Sequence, residues 1–274
     1  MRLALVQQRA SADKSANLAR GLAALDRAAA NGAKLACFAE LAFEPFYPQR
    51  PAGPDFAALA EPVPGPVTEA FQQKAADLEM VVVLNLFERD GTRTFDSSPV
   101  IDADGRLLGC TRMIHITEYA CFHEQGYYTP GDTGAPVYQT AVGRLGVAIC
   151  YDRHFPEYMR ALALGGAELV VVPQAGAVGE WPEGLYESEL QVAAFQNGYF
   201  TALCNRVGEE DCLTFGGESF VCAPNGSVIA RAPALEETIL YADVDLEKVE
   251  RSHARRLFMK HRRPELYGTW LARR

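Results

Sequence analysis

Apolar positions recur in short blocks along the chain, and the spacing inside each block separates predicted helices from predicted strands. Residues 2–7 alternate and then become apolar, which predicts a first strand. From Leu18, apolar side chains follow at i, i+4, i+7 and i+11, the spacing of one helix face, and Asn31-Gly32 ends that helix. Residues 35–39 form a short apolar run, which predicts a buried strand that ends at Glu40.

Later blocks continue to interleave helices with strands. Predicted helices begin near Pro66, Pro156 and Tyr186, and a basic helix or tail begins at Glu247. The further predicted strands are residues 80–87, 137–140, 145–150, 169–173, 199–204 and 239–244. Hairpin turns are predicted at Asp104-Gly105, Gly143 and Asn225-Gly226. This order predicts an α/β or α+β class with mixed sheets, and the lack of a long polar linker predicts one domain over residues 1–274.

Composition narrows the function classes. The hydrophobic share of 49% is ample for a core, and 26 basic against 35 acidic residues give a formal net charge of −9. A surface of that sign repels phosphate backbones, so nucleic-acid binding is not expected. The N-terminal apolar run stops at Gln7 and no run of about 18 apolar residues follows, so neither a signal peptide nor a membrane span is expected. Seven scattered cysteines favour free thiols and a cytoplasmic location over a disulfide framework.

The most informative segment runs from Gly146 to Glu157. Its apolar strand ends at Cys150, and a turn then opens a helix at Pro156. A thiol beside a helix N-terminus is stabilised as a thiolate by the helix dipole and free N–H groups, which favours a nucleophile. The alternative is an inert buried cysteine at a strand end, because free cysteine is among the most buried residue types.

Two acids stand in comparable positions but are ambiguous when each is taken alone. Glu40 ends an apolar strand, where it serves either as a half-buried general base or as an ordinary acid at a helix start. Glu124 lies in a loop of aromatic and turn residues over 122–132. Neither position by itself decides between a catalytic and a structural role.

Taken together, these segments resemble the nitrilase superfamily of carbon–nitrogen hydrolases over nearly the whole chain. Phe38-Ala39-Glu40 is similar to the motif of the catalytic glutamate, and the nucleophile motif, residues 149–157, is the most specific match. Residues 128–132 resemble the stretch that leads out of the second glutamate, which falls on Glu124. The likeness is closer to the β-ureidopropionase and N-carbamoyl-amine amidase branches than to true nitrilases.

The resemblance implies a four-layer α-β-β-α sandwich, a homodimer or larger homo-oligomer, and hydrolysis of an amide or N-carbamoyl C–N bond through a cysteine thioester. Cys150 then attacks carbon, Glu40 moves the proton, and Glu124 orients Glu40 or the substrate. The backbone N–H of Tyr151 contributes to the oxyanion hole. No cofactor and no metal ion is expected, because Cys121 and His123 are too few for a zinc site.

One position departs from the family pattern. The resemblance places a catalytic lysine two residues before His115, and that position is Met113. A thioether neither donates a hydrogen bond nor carries positive charge, and losing one oxyanion donor costs about 10²–10³ in turnover. Without the cation, one of Glu40 and Glu124 is expected to hold a proton. A rival hypothesis follows, an impaired homologue that binds a small amide or a partner without efficient turnover.

Neighbouring residues offer partial substitutes or pocket contacts. If residues 111–116 form a strand, Arg112 points away from Met113, whereas His115 shares its face and is either a donor or a structural residue. The remaining candidates for substrate binding are Arg153, His154 and Tyr47, each of which is equally compatible with ordinary packing.

Overall fold

Within residues 1–272, which the computed structural model describes, fifteen strands form two large sheets and one separate hairpin. The first sheet has the order β15-β1-β2-β3-β5-β4, and β6 pairs with β5. Its strands are β1 Arg2–Gln7, β2 Ala33–Phe38, β3 Val81–Val83, β4 Leu86–Asp90, β5 Arg93–Ile101, β6 Leu107–Arg112 and β15 Thr238–Asp243. Because β1, β2 and β3 run parallel while the other pairs run antiparallel, this sheet is mixed.

The second sheet has the order β14-β13-β10-β9-β8-β7 and is also mixed, with β8, β9 and β10 parallel. Its strands are β7 Val137–Thr140, β8 Gly143–Val147, β9 Leu169–Gln174, β10 Phe200–Asn205, β13 Phe220–Cys222 and β14 Val228–Arg231. The separate hairpin pairs β11 Val207–Glu210 with β12 Leu213–Gly216.

In the described part of the chain, four helices cover the outer faces of the two sheets, namely α1 Lys14–Ala30, α2 Pro66–Leu78, α3 Pro156–Leu164 and α4 Leu185–Asn197. The last strand is followed by the short helices α5 Glu247–Glu250 and α6 Pro264–Leu271. The Asp13 side chain accepts a hydrogen bond from Ala16 N–H at 3.0 Å and caps α1, and Pro66 and Pro156 open α2 and α3, where a missing N–H costs nothing.

Three hydrophobic clusters define the layers. One lies between the two sheets, a second packs α1 and α2 on the first sheet, and a third packs α3 and α4 on the second. The result is the four-layer α-β-β-α sandwich that the sequence predicts. The carboxyl ends of β2 and β9 meet, since Glu40 N–H donates to Gln174 O at 3.4 Å, so residues that follow parallel strands of both sheets lie close together.

Several predicted element bounds are wrong. The strand predicted over 80–87 is broken into β3 and β4, with Asn85 in the break. The strand that was to carry residues 111–116 ends at Arg112, so the alternation argument does not reach His115. The strand predicted over 145–150 ends at Val147, and the turn after it is a five-residue 3-10 helix, Cys150–His154, whereas the α-helix begins at Pro156 as predicted.

The cysteines also differ from the expectation. Cys121, which lies on the loop before Glu124, forms a disulfide with Cys212 at the turn between β11 and β12. The expectation of free thiols is therefore wrong for this pair, because scattered spacing gives no information on which loops meet in the fold. Among residues 1–272, no helix combines the length and the apolarity needed to cross a lipid bilayer.

Candidate active site

Cys150 lies at a sharp corner between β8 and the second sheet's outer helix α3. Its φ of +41° is in the left-handed region, which costs a non-glycine residue about 1–3 kcal/mol and persists only where the surroundings enforce it. Arg153 supplies part of that enforcement, since its Nη1 donates to Cys150 O at 2.8 Å and to Gln174 Oε1 at 2.8 Å. The cysteine retains 5% of its surface exposed.

Glu40 follows β2 and is fully buried. Neither of its carboxylate oxygens has a hydrogen-bond donor among the described residues, and the Cys150 sulfur lies within 4.8 Å of one of them. The buried guanidinium of Arg206 holds the backbone here, donating to Glu40 O at 3.1 Å and Leu41 O at 3.0 Å. The chain around the carboxyl is therefore fixed, while the carboxyl itself is left free for chemistry.

Glu124 opens a short 3-10 helix, Glu124–Gly126, and is also fully buried. Its Oε2 accepts a hydrogen bond from Thr117 N–H at 3.3 Å, whereas Oε1 has no partner among the described residues. The backbone carbonyl accepts from Tyr127 and Tyr128, each at 2.9 Å, which closes the loop around the acid.

These three side chains converge. One ligand atom from each of Glu40, Glu124 and Cys150 lies within 4.8 Å of the other two, although the residues are far apart in sequence. A thiol and two carboxyls at this separation can pass a proton from sulfur to oxygen. The same closeness would suit a shared ion, but no ion is needed to explain it, and the expectation of no metal stays a prediction.

Burial controls the protonation of the cluster. Desolvation, followed by the charge of Glu124, raises the pKa of Glu40 from 4.5 to about 7. Desolvation also raises the pKa of Glu124 and of the Cys150 thiol well above their ordinary values, with the Glu40 charge adding to the shift of the thiol. Burial, followed by the charges of Glu40 and Glu124, therefore opposes the thiolate that was expected beside the helix N-terminus.

Met113 is fully buried in the core between the sheets, in the same cluster as Cys150. Its N–H donates to the carbonyl of Asp96 at 2.9 Å. Arg112 points away as expected and pairs with Glu88, Asp90 and Asp132 near the surface. No arginine or lysine therefore comes from this segment to take the place of the missing ammonium.

His115 is held by other groups. Its Nδ1 lies 2.6 Å from Asp152 Oδ1, and its ring stacks on Phe155 with centroids 3.5 Å apart. Asp152 also accepts the backbone N–H groups of Ile114 at 3.3 Å and His115 at 3.0 Å. The residue therefore ties the segment after β6 to the corner after β8, and its contacts are not with the two glutamates.

The other candidates lie around the corner in different roles. His154 pairs through Nδ1 with Glu189 at 2.5 Å, and Arg153 stacks over the ring of Tyr186. Tyr151 packs its ring edge against His154, with centroids 5.0 Å apart. The hydroxyl of Tyr47 donates to Glu44 Oε2 at 2.9 Å.

Sequence reasoning missed Asp96. This residue is in the middle of β5 and fully buried, and its carboxyl lies near enough to that of Glu40 for the charge of Glu40 to raise the pKa of Asp96. Asn85, in the break between β3 and β4, donates from Nδ2 to Asp96 Oδ1 at 2.5 Å. No sequence signal marked it, because β5 mixes polar and apolar residues and its burial is visible only in the structure.

Comparison with known proteins agrees with the geometry. A sequence profile described as carbon-nitrogen hydrolase matches residues 2–254. The chain belongs to the carbon-nitrogen hydrolase family. This hydrolase is 34% identical to N-carbamoylputrescine amidase of Solanum lycopersicum over 98% of this chain and 94% of that protein. It is also 34% identical to beta-ureidopropionase of Arabidopsis thaliana over 78% of this chain and 57% of that protein. The resemblance inferred from the motifs is confirmed.

Solved structures share the fold. A carbon-nitrogen hydrolase from Helicobacter pylori G27 superposes with a TM-score of 0.92 at 29% identity and covers 100% of this chain and 99% of its own. An amidase mutant from Nesterenkonia sp. AN1 superposes with a TM-score of 0.84 at 27% identity, covering 98% and 96% of the two chains. In that mutant the acetamide moiety of fluoroacetamide is bound covalently to the active site cysteine.

Proposed function

We propose that the protein hydrolyses the C–N bond of an amide or N-carbamoyl compound through a thioester on Cys150. The observation that carries the proposal is the meeting of the Cys150 sulfur with two buried carboxyls within 4.8 Å. The covalent adduct on the active site cysteine of the related amidase supports the same chemistry. The proposed catalytic unit is a single domain over residues 1–274.

In the proposed mechanism, Glu40 takes the thiol proton as the sulfur attacks the carbonyl carbon. The C–N bond then breaks, and Glu40 returns the proton to the leaving ammonia or amine. Water activated by Glu40 next cleaves the thioester and frees the sulfur. A base with a pKa near 7 suits both proton transfers at neutral pH. Glu124 orients Glu40 or the substrate, and the Tyr151 N–H holds the developing oxyanion.

An N-carbamoyl amine is the substrate class that the surroundings favour. The relatives that act on such compounds, the N-carbamoylputrescine amidases, match nearly the whole chain. Arg153 pairs with Glu189 at 3.3 Å, and Arg206 pairs with Glu210, so each of these two buried arginines near the site already faces a carboxylate of the protein. A substrate carboxylate would have to compete with Glu189 or Glu210, although Arg153 Nη2 has no hydrogen-bond partner among the described residues. His154 and Tyr47 are proposed to line the pocket.

The second candidate is an impaired homologue that binds a small amide without efficient turnover. The observation that favours it is that Met113, a fully buried thioether, occupies the position where the family has a lysine. Such a protein would bind substrate and form the thioester slowly or not at all.

Ammonia release from a panel of N-carbamoyl amines, N-carbamoyl amino acids and simple amides tests both candidates. We expect measurable release from the wild type and none above background from Cys150→Ala, with Cys222→Ala as the control because Cys222 is buried away from the cluster. Turnover that persists in Cys150→Ala contradicts the nucleophile assignment. A silent wild type that gains activity on Met113→Lys supports the impaired homologue instead.

Assembly and location complete the proposal. Exposed apolar side chains on the outer helices, Leu164 at the end of α3 and Val192 on α4, support a homodimer or larger homo-oligomer. Cytoplasmic location stays a prediction from sequence, and the Cys121–Cys212 disulfide removes part of the cysteine argument for it.

A further inference from the structure

The cluster around Glu40 contains one carboxyl, that of Asp96, for which the proposed mechanism has no role. Asp96 places a third fully buried carboxyl near Glu40, since Asn85 donates to Asp96 Oδ1 at 2.5 Å and accepts the N–H of Leu41, the residue after Glu40, at 2.8 Å. Two neighbouring buried carboxyls cannot both be ionised without a compensating charge, so at least one of the pair holds a proton. The question is which one.

The hydrogen bonds of Asp96 and the groups beside Glu40 together assign the proton. Asn85 is oriented by Leu41 N–H, which donates to its Oδ1 at 2.8 Å, so its Nδ2 is fixed as a donor to Asp96 Oδ1. That bond leaves Asp96 Oδ2, which is buried and has no donor, as the oxygen available to carry a proton. Glu40 has the better environment for charge, because the Cys150 thiol and the Arg206 guanidinium both lie beside it.

We propose that Asp96 is a positioning residue that remains a neutral acid and donates its O–H to Glu40, which compensates in part for the missing lysine. Glu40 is then the one charged member of the pair and stays available to take the thiol proton. Asp96 keeps its own proton throughout the cycle, so no extra proton enters or leaves the reaction. This inference rests on the proposed function for its catalytic consequence but not for the protonation state itself.

The surroundings agree with this assignment. The titratable groups that face Asp96 are Glu40 after β2, Glu124 in its loop, Asp152 after β8, Tyr128, and Cys110 on β6. None of these groups is a cation, and Arg206 reaches only the Glu40 side of the pair. Burial, followed by the charge of Glu40, accordingly raises the pKa of Asp96 well above its usual range.

Infrared difference spectroscopy of protein labelled with ¹³C-aspartate tests the protonation state without any turnover. We expect the carbonyl band of a protonated aspartic acid in the resting wild type at about pH 7, far above the ordinary aspartate pKa. The band should be lost in Asp96→Asn and kept in the control Asp77→Asn, which changes an exposed residue of α2. A wild type without the band, or Asp96→Asn that retains it, overturns the proposal.

The pH profile of kcat/KM tests the positioning role. In the wild type, activity should fall as rising pH ionises Asp96 and puts a second charge beside Glu40. Asp96→Asn has a donor with no proton to lose, so this alkaline decline should disappear, whereas Asp96→Leu should lower kcat by about 10²-fold. If Asp96→Asn and Asp96→Leu are equally impaired and the pH profile of kcat/KM is unchanged, Asp96 serves only in packing, and the proposed positioning role is wrong. If the wild type hydrolyses nothing, the proposed function fails, and the infrared result still decides the protonation state.

Discussion

At the scale of single residues, the chemistry depends on side chains that only the fold brings together. The sequence motifs identified Cys150, Glu40 and Glu124, because each stands at the end of a recognisable strand or loop pattern. Asp96 was not predicted, because Glu40 lies 56 positions earlier in the chain and no local sequence pattern indicates that the two residues meet. The shared face of His115 and Met113 was conditional on a strand over residues 111–116, and that strand ends at Arg112.

Burying Glu40 is expected to cost stability at the pH where the enzyme works. The folded pKa of about 7 lies above the ordinary 4.5, so the favourable contribution of the protonated acid is present below about pH 4.5 and is lost as pH rises through 7. Glu40→Gln removes the charge, and it should therefore raise the free energy of unfolding by about 3 kcal/mol above pH 7 while abolishing hydrolysis.

Thermal melting across pH measures this effect, with Glu209→Gln on the exposed side of β11 as the control. The gain in Glu40→Gln should shrink towards zero at acidic pH, where the wild-type acid is already protonated. If Glu40→Gln is equally stable or less stable than the wild type at alkaline pH, burial does not disfavour the charged form of Glu40.

At the scale of elements, strand and helix types were predictable, but breaks and corners were not. A single apolar run over 80–87 gave no sign that Asn85 would interrupt it, because the break is made by tertiary hydrogen bonds to Leu41 and Asp96. The 3-10 turn at Cys150 likewise depends on Arg153 binding the cysteine carbonyl. Both irregular places lie beside the reacting groups.

The Cys121–Cys212 disulfide ties the loop of Glu124 to the β11–β12 turn. Reduction should loosen that loop, so kcat should fall severalfold, and the free energy of unfolding should drop by about 2–4 kcal/mol. Non-reducing peptide mapping with thiol counting checks the bond, and Cys121→Ser should reproduce the effect of reduction. Seven reactive thiols in the denatured, unreduced protein would contradict the pairing.

At the scale of the whole molecule, the hydrophobic pattern predicted a mixed α/β or α+β class, whereas the four layers were expected from the family resemblance. Strands that are apolar on both faces need cover on both sides, and the two sheets provide one side for each other while α1 to α4 provide the other. The order of strands within each sheet, and the meeting of the carboxyl ends that creates the site, required the structure. Sequence periodicity carries no information on which strands become neighbours.

The exposed apolar residues of the outer layer predict self-association. Sedimentation analysis should find a mass of at least twice 29.9 kDa, and Val192→Glu on α4 should shift the population towards monomer because it places charge in an apolar contact. Ile229→Glu, which alters an exposed apolar residue of β14, serves as the comparison. A wild type that sediments as a monomer at all concentrations contradicts the predicted assembly.

Trapping the covalent intermediate tests the account's central claim most directly. Protein mixed with an excess of an N-carbamoyl amine or amide that it turns over is quenched in acid within the first turnovers, and its peptides are mapped by mass spectrometry. The account predicts that the acyl or carbamoyl group is found on the peptide that contains Cys150 and that Cys150→Ala carries no such group. In Glu40→Gln the amount of adduct should increase only if that variant still acylates. Turnover with no adduct on Cys150, or with the adduct on another cysteine, would contradict it.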